Sequence, residues 1–105
     1  MMKNVLVISR GSGQSRSFKK YMDDYTIKNN LPIEWIYASD KNYGEEISTK
    51  DIKVVIISPE VMLAEASIKT ELDSKGINYI SIKPSAFGLK QTEKFMPDVL
   101  KYIGE

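Results

Sequence analysis

Val5-Leu6-Val7-Ile8-Ser9-Arg10-Gly11-Ser12-Gly13-Gln14-Ser15 is the stretch whose reading decides the fold. Its first four residues are apolar and mostly β-branched, with no polar alternation. That pattern predicts a strand buried on both faces, as in a parallel sheet. A glycine-serine loop follows, and then Phe18, Tyr21, Met22 and Tyr25 recur at the spacing of one helical face. Strand, small-residue loop and helix in that order build an anion cradle. Loop N–H groups converge, and the helix N-terminus adds partial positive charge. Gly11 and Gly13 permit close backbone approach. Ser12 and Ser15 offer hydroxyls, and Ser15, where the helical spacing starts, is expected to cap the helix. Arg10, Gly11, Ser12, Gly13, Gln14 and Ser15 are therefore the phosphate-binding candidates. Small polar loops of this kind also occur without any ligand, and spacing alone does not separate the two cases. The loop lacks the Gly-Lys-Ser/Thr ending of a nucleoside-triphosphate loop and the third glycine of a dinucleotide fingerprint.

Working outward, the remaining chain repeats the alternation. Asn29-Asn30 and Pro32 end the first helix. Ile33–Ala38 reads as a second strand at a sheet edge, Ser39–Gly44 as a turn cluster, and Glu45-Glu46-Ile47 as a short helical turn. Glu45-Glu46 has no facing partner for paired-carboxylate chemistry and reads as a solvated pair. Lys53–Ser58 reads as a central strand stopped by Pro59. Val61, Ala64, Ile68 and Leu72 line a second helix that closes at Lys75-Gly76. Ile77–Ile82 reads as a fourth strand and Lys83–Gly88 as a loop. A last helix carries Met96, Val99, Leu100 and Ile103, with Pro97 in its first turn. Alternating strands and helices imply right-handed crossovers. The expected fold is α/β: a three-layer open sheet of four parallel strands, order 2-1-3-4, with helices on both faces. The switch point then lies between the first and third strands, where the loop at Ser9–Ser15, the turn at Ser58-Pro59-Glu60 and the loop at Pro84–Gly88 converge.

Composition narrows the chemistry. The chain has 105 residues, 15 Lys plus Arg against 14 Asp plus Glu, and neither cysteine nor histidine. A single domain over 1–105 is expected. The near-zero net charge argues against a nucleic-acid surface. Disulfides, thiolate nucleophiles and imidazole bases are excluded. A metal site of the usual kind is not expected, and no cofactor motif is present. No apolar run is long enough to span a bilayer, so no direct membrane insertion and a cytoplasmic location are expected.

Val5–Ser15 resembles the opening of an enzyme IIB component of the bacterial sugar phosphotransferase system (PTS), lactose/cellobiose (chitobiose) type. In that family the first strand ends in a cysteine followed by a loop of small residues. The resemblance extends to Ile56-Ile57-Ser58-Pro59-Glu60-Val61, to Lys75-Gly76-Ile77 and to Phe87-Gly88. It implies a phosphocarrier: a phosphohistidine on IIA passes its phosphoryl group to the IIB cysteine, which passes it to a sugar held by the membrane permease IIC. The sugar class implied is β-glucoside, cellobiose, chitobiose or lactose. Ser9 stands at the phosphocysteine position, and Pro59, Glu60 and Phe87 flank the site.

The departures from that family matter. A serine hydroxyl stays protonated near neutral pH without a base, and its phosphate ester is a poor onward donor beside a thiophosphate. Arg10 replaces a small residue, Gln14 a hydroxyl residue, Glu60 a neutral amide and Phe87 a tyrosine. So many differences favour natural divergence over an engineered cysteine-to-serine exchange. The alternative reading is a non-catalytic binding or regulatory module derived from a IIB domain. Two other classes fail on the residues. A low-molecular-weight tyrosine phosphatase needs cysteine, five residues and arginine, and Arg16 falls one position too far from Ser9. A receiver domain needs aspartate where Ser58 stands.

Overall fold

The computed structural model describes residues 2–104. Four strands, β1 (Lys3–Ile8), β2 (Ile33–Ala38), β3 (Ile52–Ile57) and β4 (Tyr79–Ser81), form one parallel sheet in the order β2-β1-β3-β4. Five helices accompany them: α1 (Gly13–Lys28), α2 (Tyr43–Thr49), α3 (Glu65–Ser74), α4 (Pro84–Gly88) and α5 (Met96–Ile103). A 3₁₀ segment, Pro59–Ala64, links β3 to α3. β1 runs beside β2 from Lys3↔Ile33 to Ile8↔Ala38 and beside β3 up to Ile8↔Ile57. The ends of β1, β2 and β3 therefore lie level, and the chain leaves all three at one edge.

The central strands are buried on both faces, which is why their sequences show no polar alternation. Val5, Val7, Val54 and Ile56 face α1, α4 and α5, where Phe18, Met22, Phe87, Phe95, Met96 and Val99 complete one core. Leu6, Ile8, Val55 and Ile57 face the other way, onto Tyr43, Ile47, Val61, Ile68 and Leu72. Phe18 is the wedge of the first core. Its ring centroid lies 4.8 Å from that of Phe87 and 5.8 Å from that of Phe95, so α1 is locked against α4 and the approach to α5.

Several local expectations shift. α1 begins two residues before Ser15: Ser12 is the N-cap, in extended conformation, and its Oγ accepts from the Ser15 N–H at 3.2 Å. Ser15 lies inside the first turn. Tyr21 belongs to the helical stripe by spacing but is 40% exposed, because the apolar arc of α1 narrows to Phe18 and Met22 with Tyr25 at its margin. α2 is a full two turns and starts inside the expected turn cluster, since Tyr43 and Ile47 are both buried. β4 has three residues rather than six, because the Ile77 N–H closes α3 by donating to the Leu72 carbonyl. The segment expected as a loop at 83–88 contains α4, started by Pro84.

Candidate functional site

The site is built on the level strand ends. Residues of odd number in β1 face α1, and Ser9 continues that parity one step beyond the strand. Its N–H donates to the Ala38 carbonyl at 2.8 Å, which ties it to the end of β2. Its hydroxyl lies 2.9 Å from the Ser15 hydroxyl, and the two residues are 5% and 6% exposed. Ser9 is thus held down between the strand end and the first turn of α1. On the other side, the Ser58 N–H donates to the Ile8 carbonyl at 3.1 Å. Ser58 is fully buried, and its hydroxyl has no partner among the described residues.

The chain turns at Gly11, whose φ of +73° is the left-handed conformation that glycine adopts readily. Beyond it, Gly13, Gln14 and Ser15 carry N–H groups that a helix start leaves without intrahelical carbonyl partners. Arg16 stitches the turn closed: its Nη1 donates to the Gly11 carbonyl at 2.9 Å. The Gln14 amide leans away toward α4, where a Cβ on Gly88 would sit 2.9 Å from Gln14 Nε2.

Glu60 is the decisive neighbour. Pro59 starts the 3₁₀ segment, and the next residue reaches across to the loop. The Arg10 N–H donates to Glu60 Oε1 at 2.9 Å, and the Ser12 hydroxyl donates to Glu60 Oε2. A carboxylate therefore closes on two donors of the loop.

The opposite flank of the loop is open. A groove of about 320 Å³ has Ser9, Arg10, Arg16, Lys19, Tyr37 and Asn42 among its lining residues. Three of its residues are cationic. Arg10 Nη2 pairs with Asp40 at 3.3 Å, and Lys19 pairs with Asp23 at 3.3 Å while lying 5.4 Å above the Tyr37 ring. The Asn42 Oδ1 accepts from the Ser39 N–H at 2.7 Å and fixes the turn that forms the far wall. The Tyr37 hydroxyl is buried with no partner among the described residues. Burial, helped by the Asp23 charge, pushes the phenol well above its ordinary range.

Of the residues singled out by sequence, Ser9, Arg10, Gly11, Ser12 and Ser15 come together with Glu60. Gln14 points aside. Phe87 is wholly buried against Phe18 and lies under the site as core rather than on its rim. Pro59 acts through the segment it starts. The sequence reading missed Lys19, Tyr37, Ser39 and Asn42. Lys19 was within reach, being one helical turn beyond Ser15 on the same face. The others depend on β2 pairing with β1. Among the described residues no group of acidic side chains could hold a metal ion, and no helix is long and apolar enough to cross a membrane.

No family model and no curated protein sequence matches this chain. Among solved structures, the lactose-specific IIB component domain of the phosphoenolpyruvate:carbohydrate phosphotransferase system from Streptococcus pneumoniae superposes with a TM-score of 0.76 over 97% of this chain and 98% of that one, at 16% identity. The chain has the fold of a lactose-type IIB domain. The likeness spans both chains almost end to end, and the strand order is the one expected from the alternation of strands and helices. In this fold the loop leaves the end of β1, and Ser9 is its first residue.

Proposed function

We propose that the chain serves as a IIB-like component of a phosphoenolpyruvate-dependent sugar phosphotransferase system, in the cytoplasm, between a IIA phospho-donor and a IIC permease with its bound sugar. The observation that carries this reading is the seating of Ser9: a hydroxyl at the end of β1, two residues before a left-handed glycine and against the start of α1, in a chain that superposes end to end on a IIB domain. In the transfer, the N–P bond of a IIA phosphohistidine breaks and an O–P bond forms at Ser9 Oγ. The serine proton passes to the departing imidazole nitrogen, directly or through the Ser15 hydroxyl. Loop N–H groups and the start of α1 stabilise the equatorial oxygens, which is most of what phosphoryl transfer asks of a protein. With no base of its own and an oxygen ester as product, the chain relays slowly.

A second reading is favoured by Glu60. Its carboxylate on the loop suits a non-catalytic module that keeps the IIB surface for docking and has given up the relay. Ser9→Cys separates the two. Incubated with phosphorylated IIA and resolved by phosphate-affinity electrophoresis, the thiol variant takes up phosphate at least a hundredfold faster than the parent chain if the relay scaffold is intact. A thiol variant that stays unphosphorylated gives the chain to the docking reading.

A further inference from the structure

The loop donors are already engaged by a ligand, and the ligand is part of the chain. Arg10 N–H and the Ser12 hydroxyl address the two oxygens of one carboxylate, as two donors would address two oxygens of a phosphoryl group. The carboxylate comes from a segment that cannot drift far. Pro59 fixes its start, and Val61, fully buried in the second core, anchors the residue just after Glu60. Val61 is also where the 3₁₀ segment kinks, with φ −110° and ψ 29°, so Glu60 projects from a bend rather than along a regular helix. Among the described residues no lysine or arginine forms an ion pair with Glu60. Its polar partners are the loop donors.

We propose that Glu60 is an internal oxyanion cap on the Ser9–Ser15 loop, which occupies the Arg10 N–H and the Ser12 hydroxyl and must rotate away before a phosphoryl group can take those donors. This rests on the reading of that loop as an oxyanion site and adds its regulation. Because the backbone is anchored at Val61, opening needs only side-chain rotation at Glu60, a motion far faster than a domain rearrangement. The cap acts in two ways. It occupies two donors, and its negative charge repels a phosphate dianion. Glu60→Gln removes the charge and keeps the shape. Glu60→Ala removes both.

The test uses the full chain, its two Glu60 variants and inorganic phosphate as the probe, followed through backbone amide resonances at neutral pH. The parent chain binds phosphate weakly. Glu60→Gln binds at least tenfold more tightly and Glu60→Ala more tightly still, with the largest shifts at Arg10, Gly11, Ser12 and Gly13. In the absence of phosphate, the Arg10 amide proton exchanges at least tenfold faster in Glu60→Ala than in the parent. Equal phosphate affinity in all three proteins overturns the cap, as does an Arg10 amide whose exchange ignores Glu60. Absence of phosphate binding in every protein also overturns it. The relay reading is judged apart from this: it stands or falls on phosphate uptake by Ser9→Cys. A tightened Glu60→Gln beside an inert Ser9→Cys keeps the cap and discards the relay.

Discussion

The loop after β1 has two unlike flanks. Toward β3 it meets the Glu60 carboxylate, which closes on Arg10 N–H and Ser12 Oγ. Toward β2 it opens into a groove bordered by Arg10, Arg16 and Lys19. Both flanks rest on the same strand ends and the same helix start. What differs is the residue that each neighbouring strand delivers as it leaves the sheet: a carboxylate directly after Pro59, and a polar Ser39–Asn42 turn after Ala38. One scaffold thus carries a carboxylate on one side and cationic side chains on the other. Electrostatics at the loop is decided by its neighbours as much as by the helix dipole.

The largest effect on this contrast comes from beneath it. Phe18→Ala removes the ring that wedges α1 against Phe87 and Phe95, and it should cost about 3–5 kcal/mol of stability in urea unfolding. Both flanks should then blur together, seen as broadened resonances from Gly11 through Ser15. Next in size are the tenfold gains expected at Glu60, which would make the β3 flank resemble the β2 flank. On the cationic side, Arg16→Ala in the Glu60→Gln background should weaken phosphate binding by about fivefold, since the arginine is exposed and screened. The same change also frees the Gly11 carbonyl. A loss confined to phosphate affinity, with Gly11 unmoved, would separate charge from its stitching role.

The smallest effect concerns α2, which carries Asn42 into the groove wall. Its buried Tyr43 donates to Glu71 on α3 at 2.6 Å. Burial first, and then the bond to Glu71 and its charge, push the phenol from an ordinary value of 10.0 up to about 12. The fold holds the protonated phenol, so this contribution is complete below pH 10 and is lost as the pH rises from 10 toward 12. The stability gap between the parent chain and Tyr43→Phe should shrink over that window, followed by urea unfolding at stepped pH. A gap constant with pH would detach Tyr43 from the groove wall's support.

Much of the architecture was legible because it is written in local patterns. Val5–Ile8 and Val54–Ile57 are apolar without alternation, and only a doubly covered parallel strand accommodates that. Strand order was expected from the alternation with right-handed crossovers; of the three loops expected at the switch point, Ser9–Ser15 meets Glu60, while Pro84–Gly88 is α4 and sends Phe87 into the core. The misreadings sit where two local rules compete. Ser12 and Ser15 are both good caps, and the choice fell to Ser12 because its extended backbone aims Oγ at the Ser15 N–H. Tyr21 shares the stripe of Phe18, yet it stays outside the core and meets only the Tyr25 ring among aromatic partners, 6.4 Å away between centroids.

By itself, then, the sequence determined a parallel sheet in the order 2-1-3-4, a glycine turn at the end of its first strand, and a serine where chemistry by thiolate or imidazole is closed. Those are properties of hydrophobic period, backbone freedom and residue type, each carried within a few neighbouring positions. Only the tertiary structure decided that Glu60 lands on the loop's donors, that Phe87 lies beneath the site, and that Lys19, Ser39 and Asn42 wall a groove beside Ser9. The first of those outcomes joins residues 50 positions apart in the chain. Their pairing is set by how the strand ends align in space, which no local stretch encodes.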